Sequence, residues 1–198
     1  MGRGPPRRLR AGGGAGSLPR KNARGDIARP FAGPCGAALI SAWDGADFAG
    51  AKLACLLDGC ILTYRRDDKP GIPWPGLIDL PGGGREGAES PARCALRELH
   101  EEFGLDLPEH RIIWAQPFPS MHPPGRTGWL LALHLDASEV AAISFGDEGR
   151  DPQLLDIGVF LSAPDAVAPL QDRVRRLLAD QADGTVPGYH TGKTSLFP

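Results

Sequence analysis

Long apolar runs are missing from this chain of 198 residues. No stretch approaches the roughly eighteen apolar residues of a membrane-spanning helix, and the apolar core of a secretory signal is missing too. Cysteine is sparse. Cys35, Cys55, Cys60 and Cys94 form no C-x-x-C pair, so no zinc ribbon is indicated. The turn residues Asp58-Gly59 set a hairpin register that places Leu57 opposite Cys60 and Cys55 opposite Leu62, so no cross-hairpin disulfide is expected. The cysteines read as small buried residues of a protein in a reducing cytoplasm. Acids are nearly absent from the first thirty residues, where eight Arg and Lys meet only Asp26. That segment is formally +7, which leaves −9 on residues 31–198 of a chain whose total is −2. An acidic domain argues against a nucleic-acid-binding surface. The basic stretch has no aromatic residue and little apolar periodicity, so residues 1–34 are expected to form a disordered Gly/Arg-rich tail. A start codon placed too far upstream, and a targeting or RNA-contacting arm, are the other readings of it.

What the chain does contain is concentrated in residues 83–105, GGREGAESPARCALRELHEEFGL. The segment carries its own helix punctuation. Ser90 suits the N-cap, Pro91 the first helical position, and Gly104 the left-handed residue past the end. A helix is therefore expected from about Pro91 to Phe103. Ala92, Leu96, Leu99 and Phe103 form its core-facing stripe. Glu98, Glu101 and Glu102 are neighbours by i,i+3 and i,i+4 spacing on the opposite side. An amphipathic helix can simply present charge to solvent. Yet like charges at this spacing oppose helix formation, and acids in the last turn meet the negative end of the helix dipole. Only Arg97 is placed to offset Glu101. A hard divalent cation would relieve both penalties, and octahedral Mg2+, bound by carboxylates, water and phosphate oxygens, fits the residue types.

The spacing Gly83-x5-Glu89-x7-Arg97-Glu98-Leu99-x-Glu101-Glu102-x-Gly104-Leu105 matches the Nudix box at every defined position. The chain thus resembles the Nudix hydrolases, which cleave diphosphate linkages with a divalent metal. The resemblance is firm over these residues and covers the rest only in outline. It implies an α/β fold, the Nudix-type α/β/α sandwich with a mixed β-sheet, over residues 35–180; residues 181–198 carry few apolar residues and are expected to form a flexible C-terminal tail. It also implies a metal site of Glu98, Glu101 and Glu102 with the backbone carbonyl near Gly82, holding Mg2+ or Mn2+. Arg97 and Glu89 would hold the loop and helix in place. Many members carry a further acid in a C-terminal loop as metal ligand or general base; here Glu148 in Phe145-Gly146-Asp147-Glu148-Gly149 fits, with Asp147 next and an ordinary polar turn as the bland reading.

Elsewhere the pattern suggests a hairpin over 51–66, a Pro/Gly-rich loop at 67–76 and a short strand at 77–80. Strands are expected at 111–116, 129–135, 140–145 and 154–161, with an irregular loop at 117–128. A closing helix over 165–179 would turn Val167, Leu170, Val174, Leu177 and Leu178 inward, with Pro169 in its first turn. Trp74 and Trp114 are candidates for base stacking, and Arg65, Arg66 and Arg126 for phosphate contacts. Trp129, His100 and His134 read as ordinary. Residues 116–120, QPFPS, partly match an array of NADH-cleaving Nudix enzymes, but Ala115 replaces its leading Ser and its Trp-Pro is missing. Pro119 lies fifteen residues past Gly104, where ADP-ribose-cleaving members often have proline.

The expected partner is a small-molecule nucleoside diphosphate derivative, with neither membrane nor nucleic acid at the folded domain; a homodimer is left open. A (d)NTP or oxidised nucleotide is the first substrate expectation. ADP-ribose, NADH or another nucleoside-diphosphate sugar is the second. A non-catalytic nucleotide-sensing module is the rival from another class, although such modules generally lose the box carboxylates that this chain keeps.

Overall fold

The computed structural model describes residues 43–184. The basic N-terminal segment, Cys35 and all but the first residues of the expected C-terminal tail lie outside the described residues. The elements are β1 (Gly50–Leu57), β2 (Cys60–Arg65), β3 (Ile78–Asp79), β4 (Gly82–Gly84), α1 (Pro91–Phe103), β5 (Ile112–Pro119), β6 (Thr127–His134), α2 (Ala137–Ala142), β7 (Arg150–Asp156), α3 (Ile157–Ser162) and α4 (Ala168–Ala182). No described helix is long and apolar enough to cross a membrane.

The seven strands among the described residues make one mixed sheet, ordered β3-β2-β1-β6-β5, with β4 paired to β1 and β7 to β2. Among the described strand pairs only β1 and β6 run parallel, in register from Ala51 opposite Trp129 to Leu56 opposite His134. Both faces of the sheet are covered, so its central strands are nearly continuous apolar runs. The two-residue period still sorts them. Leu53, Cys55, Leu131 and Leu133 join the core under α1, with Leu96, Leu99 and Phe103. Ala54, Leu56, Leu130 and Ala132 join the core on the other face, with Phe160, Leu170, Val174 and Leu177 of α3 and α4. The architecture is the expected α/β/α sandwich.

One departure from a regular hairpin builds the site. Strands β1 and β2 pair at the turn end, through Leu57–Cys60 and Leu56–Ile61, and then part company. The other end of β1 takes β4 as its neighbour, while Tyr64 and Arg65 of β2 take β3. The segment from β3 to β4, with its glycines, is thereby wedged into an opening in the sheet.

Four expectations are corrected. Residues 140–145 are not a strand: Asp136 accepts from the backbone N–H groups of Ser138 and Glu139, Glu139 returns a bond to the Asp136 N–H, and this capping box starts α2. Residues 154–161 divide at Asp156, whose side chain caps α3 by accepting from the Val159 N–H, so only the first half is strand. The loop expected from Pro117 begins later. Strand β5 runs through Pro117 and Pro119, which it tolerates as an edge strand with one side unpaired. Helix α4 also continues to Ala182, three residues past its expected end.

Candidate active site

Helix α1 starts and stops as its punctuation dictates. The Ser90 hydroxyl accepts from the Arg93 N–H at 3.2 Å. Gly104 ends the helix at φ 68°, its N–H donating to the His100 carbonyl. The left-handed conformation explains why glycine stands there. Leu99 and Phe103 are fully buried and anchor the helix on the sheet. Leu99→Ala would cost about 2–5 kcal/mol.

Anchored this way, α1 presents its acids in three different environments. Glu101 is exposed, Glu98 is half-buried, and Glu102 is buried at 8% exposure. The three acids, expected together on the side opposite the apolar stripe, are thus not equally exposed, and Glu102 is buried. Glu102 turns under the wedged segment, where its Oε2 accepts from the Gly82 N–H at 2.9 Å and the Tyr64 hydroxyl stands beside it. Burial pushes the Glu102 carboxyl up to about 7, against the pull of Lys52 and the Gly82 N–H. Burial also raises Glu98, with the Arg97 guanidinium opposing it.

Arg97 ties the acids to the loop. It forks onto Glu89 with Nε at 3.2 Å and Nη2 at 3.0 Å, donates to the Gly84 carbonyl at 2.8 Å, and places Nη1 3.0 Å from both Glu98 and Glu101. The Glu89 hydrogen bond leads the effects that hold Arg97 above its ordinary range. Bidentate pairing of this kind fixes orientation as well as charge. Glu98 also leans on Gly83: a Cβ there would lie 2.5 Å from the Glu98 carboxylate carbon. Only glycine allows that approach.

The donors on α1 are all carboxylate oxygens, which suits a hard divalent cation rather than zinc or copper. Burial raises the carboxyls of both Glu102 and Glu98, and each also feels a neighbouring α1 carboxylate. Among the described residues no group of three His, Cys, Asp or Glu is already gathered in metal-binding geometry. The reason is visible: Glu98 and Glu101 face Arg97, and Glu102 faces the Gly82 N–H. The Gly82 carbonyl accepts from Lys52 Nζ at 2.6 Å.

Lys52 was not singled out in the sequence, and neither was Asp79. Lys52 Nζ also donates to Asp79 at 2.9 Å and to the Leu80 carbonyl at 3.0 Å. Asp79 is 1% exposed and accepts in addition from Arg66 Nη1 at 2.7 Å. These contacts span 27 and 13 residues of sequence, so no local pattern announced them. They fix the wedged segment on the side facing a cleft of about 210 Å3. Gly82–Gly84 form one wall of this cleft; Lys52, Arg66, Trp74, His122 and Arg173 project from the others.

The remaining candidates divide. Trp74 and Arg66 line the cleft. Trp114 does not: it is 2% exposed, with its Nε1 donating to Asp180. Arg65 is held by Asp165 and the Gly76 carbonyl, and Arg126 by Asp47 and the Phe48 carbonyl. Both are thereby accounted for structurally. Trp129 is buried, as expected. Glu148 is exposed, on a loop bound to the end of α1 by the Ser144 N–H on the Phe103 carbonyl and the Gly146 N–H on the Glu102 carbonyl. It borders a second cleft with Tyr64, Arg66 and Lys69. The local sequence offers Glu148 no cation, but Lys69, from another loop, feels its charge.

Comparison with known proteins gives the following. The NUDIX domain family model matches residues 51–180. A segment of 51 residues is 45% identical to an RNA pyrophosphohydrolase of Gluconacetobacter diazotrophicus, over 24% of this chain and 30% of that protein. The chain thus spans under a third of that relative. Among solved structures, a bifunctional NMN adenylyltransferase/ADP ribose pyrophosphatase from Francisella tularensis, complexed with AMP and a manganese ion, superposes with a TM-score of 0.56 at 20% identity, over 71% of this chain and 44% of that one. The MutT protein from Methanosarcina mazei Go1 gives a TM-score of 0.53 at 17% identity, over 70% and 98%. At these identities the structural likeness is one of fold.

Proposed function

The chain belongs to the Nudix family, and from that premise we propose that it is a divalent-metal-dependent diphosphohydrolase acting on small nucleotides. The observation that carries this reading is the arrangement around Gly82–Gly84: acids of α1 on one side, a cleft with cations and an indole on the other. Mg2+, or Mn2+, would be held by Glu98, Glu101 and Glu102, with Glu148 and the Gly82 carbonyl as further ligands, the latter once Lys52 yields it. The metal supplies Lewis acidity and neutralises charge developing on the phosphoryl oxygens.

The chain's own groups do the rest. Arg97 orients Glu98 and Glu101. Glu98, half-buried with its carboxyl raised, would accept the proton of the attacking water, with Glu148 as the alternative base. Arg66 and Trp74 contact the nucleotide, the indole stacking on the base. Products are a nucleoside monophosphate and pyrophosphate, or two monophosphates. The leading substrate class is a (d)NTP, ordinary or oxidised, because the cationic cleft favours a phosphate-rich ligand. ADP-ribose and other nucleoside-diphosphate sugars are the second class. The free thiols of Cys55, Cys60 and Cys94 fit a cytoplasmic setting.

The test is a panel of nucleotides incubated with the purified protein and Mg2+, with products resolved by chromatography. Metal-dependent cleavage at a diphosphate linkage is expected. Tight nucleotide binding without cleavage, in Mg2+ and in Mn2+, would favour the sensing module instead.

A further inference from the structure

Among the described residues, the cleft gathers cationic side chains without matching acids on its walls. Lys52, Arg66 and Arg173 all line it, and among the described residues no carboxylate does. Lys52 and Arg66 at least share Asp79 behind the wall. Arg173 is 6% exposed and forms no ion pair among the described residues; the nearby acids on its helix pair with Arg175 and Arg176 instead. Burial alone shifts its pKa, drawing it below the ordinary arginine range. The side chain is nevertheless held firmly. One Nη2 bond reaches the Pro119 carbonyl at 2.6 Å, and the guanidinium lies 5.0 Å from the Phe118 ring centre. A buried, unpaired guanidinium is costly, and it stands in a domain with acids to spare. An anion entering the cleft removes that cost.

The scissile diphosphate belongs to the α1 acids on one face of the sheet. Arg173 belongs to α4, which packs on the other face, and it lines the same cleft as Gly82–Gly84. We infer that Arg173 is a specificity residue that binds a phosphate of the substrate beyond the scissile diphosphate. The inference rests on the substrate reading above and narrows it. It favours nucleotides with a third phosphate over ADP-ribose. That phosphate can extend the phosphate chain or sit on the ribose.

Calorimetric titration in EDTA separates binding from turnover. Two matched pairs serve: ATP against ADP, and coenzyme A against dephospho-coenzyme A. The phosphate-richer member of at least one pair should bind wild type about 10-fold tighter, the size of one hydrogen-bonded charge. Arg173→Gln should abolish that gain and leave the poorer member within about 2-fold. Arg173→Lys should keep part of it. The pair that responds identifies the source of the phosphate. No gain in wild type for either pair, or an equal loss for both members in Arg173→Gln, overturns the inference. If Arg173→Gln does not fold, the wild-type comparison and Arg173→Lys decide. A binding gain with no turnover in Mg2+ would count against the catalytic reading alone.

Discussion

Gly83→Ala isolates the geometry of the site with the smallest perturbation. The added methyl would meet the Glu98 carboxylate at 2.5–2.6 Å, where ordinary contact begins near 3.4 Å. The carboxylate must retreat by about 1 Å, and a misplacement of that size can cost about 10²-fold in rate, or about 2.7 kcal/mol at the barrier. The fold has an easy response, because what blocks the methyl is the end of a flexible side chain. The melting temperature should move by no more than about 2–4 °C. The assay is kcat from continuous phosphate release, with calorimetric melts alongside. A double-mutant cycle sharpens it. If the methyl acts only by displacing Glu98, Gly83→Ala adds nothing to the loss already caused by Glu98→Gln. A Gly83→Ala protein with more than half of wild-type kcat, or additive losses in the double variant, would refute the placement of Glu98 at the reacting centre.

Glu101→Gln and Glu102→Gln should each lower kcat by at least about 100-fold, as expected for lost charge stabilisation; activity above half of wild type at saturating Mg2+ rejects that assignment. Glu102 also predicts a pH signature in the metal-free protein. Its carboxyl is raised to about 7 from an ordinary 4.5, so the folded state binds more protons in that interval and loses stability as pH rises through it. Relative to Glu102→Gln, wild type in EDTA should melt lower at pH 8 than at pH 5, and a pH-independent difference would sink the point. Glu148→Gln should reduce kcat with little change in KM if the residue is a ligand or base; Asp147→Asn is its control, and silence in both would make the loop an ordinary turn.

Where the sequence was readable, the physics was local. The caps at Ser90 and Gly104 and the stripe through Leu99 and Phe103 depend on neighbours within a few residues, so α1 could be placed from its own sequence. The same was true of α2 in principle: Asp136 and Glu139 spell a capping box, which the apolar run Val140–Phe145 obscured. Strand β5 was cut short by treating Pro117 and Pro119 as breakers, though at a sheet edge they cost little. Burial of Glu102 was not legible, because helix periodicity describes one face and here the wedged glycine segment covers another. Nor could the sequence pair Lys52 and Arg66 with Asp79, or bring Arg173 of the last helix to the cleft, since these meetings depend on sheet topology. Trp114 failed as a stacking candidate for the same reason: its partner, Asp180, lies 66 residues away.

The central claim is that the acids of α1 hold a divalent cation. Mn2+ titration followed by electron paramagnetic resonance, with nucleotide present, tests it on wild type and on Glu98→Gln, Glu101→Gln and Glu102→Gln. Wild type should bind Mn2+, and each substitution should weaken binding by at least about 10-fold, as losing a charged ligand would. If the triple variant folds and binds Mn2+ as tightly as wild type, the metal lies elsewhere and the account of this site is wrong.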